Sequence, residues 1–254
     1  MFEFLIYKFL DTFISKHNEK KITDLLLKQK KFLKIKDNKP IVIFDVGCFR
    51  GDWTKSMLRI LNKNTSNKLL FHLFDVNPKS TIYLKNLLKN TNIKFNYLAL
   101  NEEKGEKEFY FYNFFESAGS SLDTIYKDNR TWVKTRKLFL QLFSLKKVKD
   151  FSVIKVNTDT LDNYCVTHNI DQIDVLKIDV EGSEQRVLLG AKQKLKSIKI
   201  IYTEIVENKE MFGKKEKEIK DFLGKNDFIF LDKYNLSFFN NIIAKDFIFV
   251  NKNF

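Results

Sequence analysis

Ile41-Val42-Ile43-Phe44-Asp45-Val46-Gly47-Cys48-Phe49-Arg50-Gly51 is the segment on which the fold turns. An apolar run with one acid near its end leads into two glycines, in the spacing acid-x-Gly-x-x-x-Gly. Such a run, without polar alternation, suits a strand buried on both faces. Strands of that kind belong to parallel sheets covered by helices. Asp52–Leu61 then places Trp53, Met57 and Ile60/Leu61 at helical spacing.

The same strand–helix unit recurs downstream. Leu69–Asp75 reads as a strand and Lys79–Leu88 as a helix; Ile93–Leu100 and Glu108–Tyr112 read as strands. Val153–Val156 is β-like, Leu161–His168 helical, Asp174–Asp179 a buried strand and Ser183–Leu195 a helix. Lys199–Ile205 is a strand, and Lys214–Leu223 a helix with Gly224 as its expected stop. Phe228–Leu231 and Phe247–Val250 close the chain as strands joined by a loop. This alternation predicts an open α/β sheet. Ligands of such sheets sit beyond the C-terminal strand ends. The site is therefore expected at Asp45–Gly51, Asp75–Asn77, Leu98–Asn101, Asp179–Gly182 and Thr203–Ile205.

The chain has 254 residues, enough for one large domain with a full core. Residues 39–254 are expected to form that domain, and residues 1–38 a helical extension. Phe2, Leu5, Ile6, Phe9, Leu10 and Phe13 give the extension an apolar face, suited to packing on the domain or to lying on the inner membrane surface. No apolar run is long enough to span a bilayer, and no secretory cleavage pattern follows. Two cysteines cannot build a disulfide framework, so a reducing, cytoplasmic setting is expected. The net charge is +13, yet only five of the 45 basic residues are Arg. Lysine-dominated charge fits a solvated surface as well as a binding patch. Residues 122–150 break the alternation with Arg130, Lys134, Arg136 and Lys137 among Trp132, Leu138, Phe139 and Phe143. This insertion reads as a basic helix, either a solvated element packed on one face or a lid over the acceptor.

The glycine loop is neither a dinucleotide fingerprint nor a phosphate loop, since it lacks G-x-G-x-x-G and G-x-x-x-x-G-K-[ST]. That spacing makes a nicotinamide dehydrogenase a distant alternative. The loop suits a ligand without phosphates, with Asp45 available to an amino group. Asp75 follows Gly51 by 24 residues, where nucleoside-binding α/β folds place the acceptor for ribose hydroxyls. Asn77 and Pro78 set the turn beyond it. A glycine loop, a ribose acid and no phosphate cradle together point to S-adenosylmethionine. Asp75 as a simple helix cap is the competing reading.

Phe44-Asp45-Val46-Gly47-Cys48-Phe49-Arg50-Gly51-Asp52-Trp53, Leu73-Phe74-Asp75-Val76-Asn77-Pro78, Leu98-Ala99-Leu100-Asn101, Ser120-Ser121-Leu122 and above all Ile173-Asp174-Val175-Leu176-Lys177-Ile178-Asp179-Val180-Glu181-Gly182-Ser183-Glu184 carry a resemblance. From about Ile41 to Val250 the chain resembles the FkbM-type S-adenosylmethionine-dependent methyltransferases. The resemblance implies a class I methyltransferase sheet: Rossmann-like, seven-stranded, last strand antiparallel, helices on both faces. It also implies a small-molecule or glycan acceptor, commonly methylated on oxygen. The cofactor-binding residues it suggests are Asp45, Gly47, Cys48, Gly51, Asp75, Val76, Asn77, Ala99, Leu100 and Asp179. Family members often carry Ala-Asn at Cys48-Phe49 and Glu at Asp75. Phe49 is therefore expected to narrow the pocket.

Methyl transfer to a hydroxyl needs positioning and a proton acceptor. His17, His72 and His168 are not at strand tips, so none is expected to be catalytic. Asp179, Glu181 and Glu204 are, and one of the first two is expected to take the proton with Glu204 in support. The competing reading has Glu181 cap the following helix and Asp179 orient the loop. The three acids can also ligate Mg²⁺ through oxygen, but no His/Cys cluster has zinc spacing and no metal is assigned. Alternative functions are RNA or protein methylation through the basic insertion and a non-catalytic cofactor-binding scaffold. The absence of an Asn-Pro-Pro-Tyr-type motif argues against nucleobase chemistry.

Overall fold

A computed structural model describes residues 39–112, 121–122, 151–208, 213–238 and 242–254. The expected N-terminal helical extension and, beyond Leu122, the expected basic insertion lie outside the described residues. In chain order the elements are β1 (Ile41–Val46), α1 (Asp52–Asn64), β2 (Leu69–Phe74), α2 (Ser80–Leu84), β3 (Ile93–Asn96), β4 (Ala99–Leu100), β5 (Gly105–Tyr112) and β6 (Phe151–Asp159). There follow α3 (Leu161–Thr167), β7 (Ile173–Ile178), α4 (Glu184–Leu189), β8 (Ile198–Asn208), α5 (Lys214–Lys225), β9 (Phe228–Phe238) and β10 (Ile242–Asn251). Among the described residues no helix is long and apolar enough to cross a membrane.

Seven strands form one sheet in the order β3-β2-β1-β7-β8-β10-β9. β1 pairs in parallel with both β2 and β7, and β7 in parallel with β8. β10 runs antiparallel to β8 and β9, so the last strand is the reversed one, as the resemblance implies. The strand order reverses between β1 and β7. That crevice is where an open α/β sheet offers a ligand site.

Alternation along the central strands explains why the sheet is buried on both faces. Phe44 and Val46 of β1, Leu176 and Ile178 of β7 and Phe247 and Phe249 of β10 join one core with Leu161, Val187 and Leu223 of three helices. Ile41 and Ile43, Val175 and Ile248 and Val250 point the other way, onto Trp53, Met57 and Leu61 of α1. Helices therefore cover both faces. Burying a side chain of this size contributes about 1.5–3 kcal/mol, so each strand is stabilised from both sides.

Several elements depart from the pattern-based expectation. Ile93–Leu100 is not one strand: β3 pairs with β2, while β4 pairs with β6 in a separate three-stranded sheet of order β4-β6-β5. Local pattern carries no information about which sheet a strand joins. The expected Ser183–Leu195 helix stops at Leu189, where Gly190 lies hard against the carbonyl of Asn101. Lys79–Leu88 divides into α2 and a 3₁₀ turn at Leu87–Lys89. Gly224 does not end its helix; α5 continues to Lys225 and Asn226 caps it. β8 runs on to Asn208, so Glu204 sits within the strand, opposite Asp246 of β10, rather than at its end.

Two glycines, Gly190 just past α4 and Gly224 within α5, predict opposite outcomes. A Cβ on Gly190 would stand 2.0 Å from the Asn101 carbonyl oxygen, backbone that cannot swing away. Gly190→Ala is expected to cost about 2 kcal/mol or more. A Cβ on Gly224 would meet nothing within 4 Å. Gly224→Ala is expected to stabilise by about 0.5–1 kcal/mol through helix propensity. Urea titration of both variants checks the pair.

Candidate functional site

The loop after β1 is built from left-handed residues. Gly47, Phe49 and Gly51 have φ of 78°, 42° and 72°. The Gly47 and Cys48 N–H groups donate to the Phe74 carbonyl at 2.9 and 3.1 Å, and Gly51 N–H to the Cys48 carbonyl at 2.7 Å. Gly47 is required by another loop: a Cβ there would lie 1.7 Å from the Asp179 carbonyl oxygen. Gly51 lets α1 begin against α2, since a Cβ would press on Leu84 and Leu87 at 2.7 and 2.9 Å.

Beneath this loop lies Lys177, buried in β7. Its Nζ is 2.9 Å from Asp45 Oδ1 and 3.2 Å from Asp179 Oδ2, and it donates to the Gly47 carbonyl at 3.0 Å. Burial alone would lower the Lys177 pKa. The Asp179 and Asp45 carboxylates more than reverse this and hold the ammonium charged above the ordinary lysine range. Asp45 Oδ2 also accepts a hydrogen bond from Thr54 Oγ1 at 2.6 Å. Asp45 is thus a fully buried partner of Lys177 and Thr54 rather than a cavity-facing group.

Asp75 follows β2 and faces the crevice. Its Oδ2 accepts from Phe49 N–H at 2.7 Å and its Oδ1 from Asn77 N–H at 2.6 Å. Burial pushes this carboxyl up, and the Asn77 and Phe49 bonds pull it back. Asp75 does not cap α2: the N-cap is Lys79, whose N–H goes to Asn77 Oδ1 at 3.0 Å. The two backbone bonds fix the carboxylate, and each oxygen keeps a second lone pair for a hydroxyl.

These loops enclose a cavity lined by Gly47, Phe49, Asp75, Val76, Asn77, Ala99, Leu100, Ser121, Leu122, Asp179 and Glu181, with Phe74, Leu98 and Phe109 among its apolar walls. Of the residues expected at the cofactor, Gly47, Asp75, Val76, Asn77, Ala99, Leu100 and Asp179 line it. Asp45, Cys48 and Gly51 stand behind it and shape the loop. A buried acid fixed by backbone N–H groups, apolar walls and polar groups at the β1–β7 crevice fit S-adenosylmethionine.

β7 ends at Ile178, so strand alternation does not set the direction of Glu181. Glu181 instead sits in a turn with φ 55°, followed by Gly182 at φ 115°. Even so, carboxylate oxygens of Asp179, Glu181 and Glu204 lie within 4.8 Å of one another. The structure thus brings the three expected acids together, although not through strand alternation. Oxygens grouped this closely can ligate a divalent cation, or one of them can take a proton from a bound hydroxyl.

The turn is held on both sides of Glu181. Asp179 N–H donates to the Val46 carbonyl at 2.9 Å, and Ser121 Oγ to the Val180 carbonyl at 3.1 Å. Gly182 N–H donates to Glu184 Oε1 at 2.7 Å, and the Gly182 carbonyl accepts from Lys215 Nζ at 2.8 Å. Glu184, not Glu181, is the acid folded into the start of α4. Its carboxyl is fully buried, and burial pushes it up to about 7.

Among the described residues no histidine lines the cavity. His72 Nδ1 pairs with the Tyr164 hydroxyl at 2.9 Å, and burial lowers its pKa to about 4. His168 caps α3; His17 lies outside the described residues. Lys177, Ser121 and Glu184 stand in the quoted motifs without an assigned role, and Lys215 is a contributor that the sequence reading did not name. For Lys177 a signal existed: a lysine inside Val175-Leu176-Lys177-Ile178 has to be buried, and a buried ammonium demands carboxylate partners.

The 2-O-methyltransferase NoeI of Sinorhizobium fredii (strain NBRC 101917 / NGR234) is 25% identical over 167 residues, which cover 64% of this chain and 62% of that protein. The chain thus matches less than two thirds of that relative's length. Among solved structures, the magnesium protoporphyrin IX methyltransferase of Synechocystis PCC 6803 with bound SAM has a TM-score of 0.47 at 10% identity, covering 95% of this chain and 82% of that one. The precorrin-6y C5,15-methyltransferase of Geobacter metallireducens GS-15 has a TM-score of 0.41 at 8% identity, covering 87% and 84%. The Methyltransferase FkbM domain matches residues 45–230, most of the chain and the whole of the crevice described above. The chain belongs to the FkbM methyltransferase family, whose methyl donor is S-adenosylmethionine.

Proposed function

We propose that this chain methylates a hydroxyl of a sugar, glycan or small polyhydroxylated metabolite, with Glu181 receiving the hydroxyl proton. The observation that carries the reading is the meeting of Asp179, Glu181 and Glu204 beside the cavity, at the ends of β7 and along β8. S-adenosylmethionine supplies a methyl already activated on a sulfonium. What the protein adds is position, exclusion of water and a place for the proton. Asp75 would hold the ribose diol, and the walls formed by Val76, Leu98 and Leu100 the adenine. Gly47 and Asp179 border the end of the cavity suited to the amino-acid portion.

As the oxygen–methyl bond forms and the sulfur–methyl bond breaks, the acceptor hydroxyl loses its proton. Asp179 already engages Lys177. Glu181 is the cavity-lining acid on the turn beyond Asp179, and Glu204 lies close to it. A general base of this kind contributes roughly 10²–10⁴-fold. A site rimmed by carboxylates favours an uncharged hydroxyl and repels a phosphate-rich acceptor, which weighs against RNA. The name of NoeI specifies transfer to oxygen, in keeping with a hydroxyl acceptor. The sugar class rests on the family resemblance and on this electrostatic fit.

Two measurements test the reading. Calorimetry with S-adenosylhomocysteine should give saturable binding that Asp75→Ala weakens by at least about tenfold, the loss of roughly one charged hydrogen bond. A folded wild-type protein that does not bind would leave the scaffold reading in front. Methyl transfer to a panel of methyl glycosides should fall about 10²–10⁴-fold in Glu181→Gln, with S-adenosylhomocysteine affinity within about threefold of wild type. Activity abolished by EDTA and restored by Mg²⁺ would instead make the three acids cation ligands and sink the base assignment.

A further inference from the structure

Glu181 occupies a backbone region that side-chain-bearing residues rarely adopt, with φ 55°. A conformation of this kind persists only where its surroundings over-determine it. Here the constraint comes from two side chains on two different helices. Glu184, the first residue of α4, takes the Gly182 N–H at 2.7 Å; Lys215, in the first turn of α5, donates to the Gly182 carbonyl at 2.8 Å. The peptide groups on either side of Gly182 are therefore each fixed by a polar side chain reaching in from outside the turn.

Glu184 is an unusual choice for this position. It is fully buried, and among the described residues its Oε2 has no hydrogen-bond partner. The start of α4 has a less expensive candidate in Ser183, a good N-cap type, yet Ser183 makes no side-chain cap bond. A carboxyl kept dry, half satisfied and aimed at a loop N–H is costly if its only task is to begin a six-residue helix. The task that matches its geometry is to hold the turn. Lys215 and Asp179 are the charged groups felt at Glu184, one from α5 and one from the end of β7.

We propose that Glu184, with Lys215 opposite it, is a positioning residue: it clamps the Glu181–Gly182 turn so that the Glu181 carboxylate joins Asp179 and Glu204 at the cavity. This rests on the assignment of Glu181 as proton acceptor. Neither residue touches the acceptor; both act through the backbone of Gly182. Glutamine can present the same carbonyl oxygen to that N–H, whereas alanine cannot.

The test uses the full chain. Amide hydrogen exchange at Gly182, S-adenosylhomocysteine affinity and methyl transfer to the glycoside panel are measured for Glu184→Ala, Glu184→Gln, Lys215→Met and Glu181→Gln. In Glu184→Ala, exchange at Gly182 should quicken at least tenfold. Transfer should lose at least tenfold in kcat with acceptor KM within threefold, and S-adenosylhomocysteine affinity should stay within threefold. Glu184→Gln should restore both exchange and kcat to within about threefold of wild type. Lys215→Met, at a half-buried site, should reproduce the alanine effect more weakly, and it carries the test if Glu184→Ala does not fold. Unchanged Gly182 exchange in Glu184→Ala, or a failure of glutamine to restore it, overturns the clamp. Full transfer in Glu181→Gln alongside an opened turn in Glu184→Ala overturns the base assignment and leaves the clamp standing.

Discussion

One buried ammonium organises the cleft. Lys177 reaches from β7 to Asp45 on β1, to the Gly47 carbonyl in the loop after β1 and to Asp179 just past its own strand. These are the two strands that flank the point where the sheet order reverses. Removing the ammonium would leave a buried carboxylate uncompensated, a change that typically costs about 3–5 kcal/mol. The pairing fixes register as much as energy. Any shift of β7 against β1 would separate Nζ from one of three oxygens, so the loops after the two strands are held to a single relative placement.

That placement explains the glycine loop better than ligand contact does. The Asp179 carbonyl occupies the space that any side chain at position 47 would need. Gly47 therefore serves loop-to-loop packing, and its N–H group is already given to the Phe74 carbonyl. The next loop is tied in the same way, because Phe49 N–H ends on the Asp75 carboxylate. Three successive loops of the crevice thus hold one another through backbone groups and acids. A ligand meets a preformed surface and need not order the chain, which lowers the entropy cost of binding.

The parts legible in the sequence are those governed by local pattern. Ile41–Val46 reads as a doubly buried strand because every residue but the acid is apolar, and its alternate residues do enter opposite cores. Asp75 is legible from spacing, since a strand, a loop and a helix of ordinary length put it at the neighbouring tip. The strand expected to reach Asp179 ends at Ile178, and Glu181 sits in a turn at φ 55°, a conformation that the sequence pattern does not show. The split of Ile93–Leu100 between two sheets and the early end of α4 at Gly190 are tertiary outcomes. They depend on β6 and on the Asn101 carbonyl, distant partners that no periodicity reveals.

Local charge and overall charge point in opposite directions, and distance decides between them. The chain carries +13, but exposed charges farther apart than about 8 Å are largely screened at physiological ionic strength. The three carboxylates are within 4.8 Å of one another at the cavity. Among the described residues, Lys177 is engaged with two aspartates and the Gly47 carbonyl, and Lys215 with the Gly182 carbonyl. An acceptor entering here meets acid first. A neutral hydroxyl gains a proton acceptor from that field, and a phosphate meets repulsion from it. On the proposed reading, the electrostatics of the crevice rather than the composition of the chain favour a neutral acceptor.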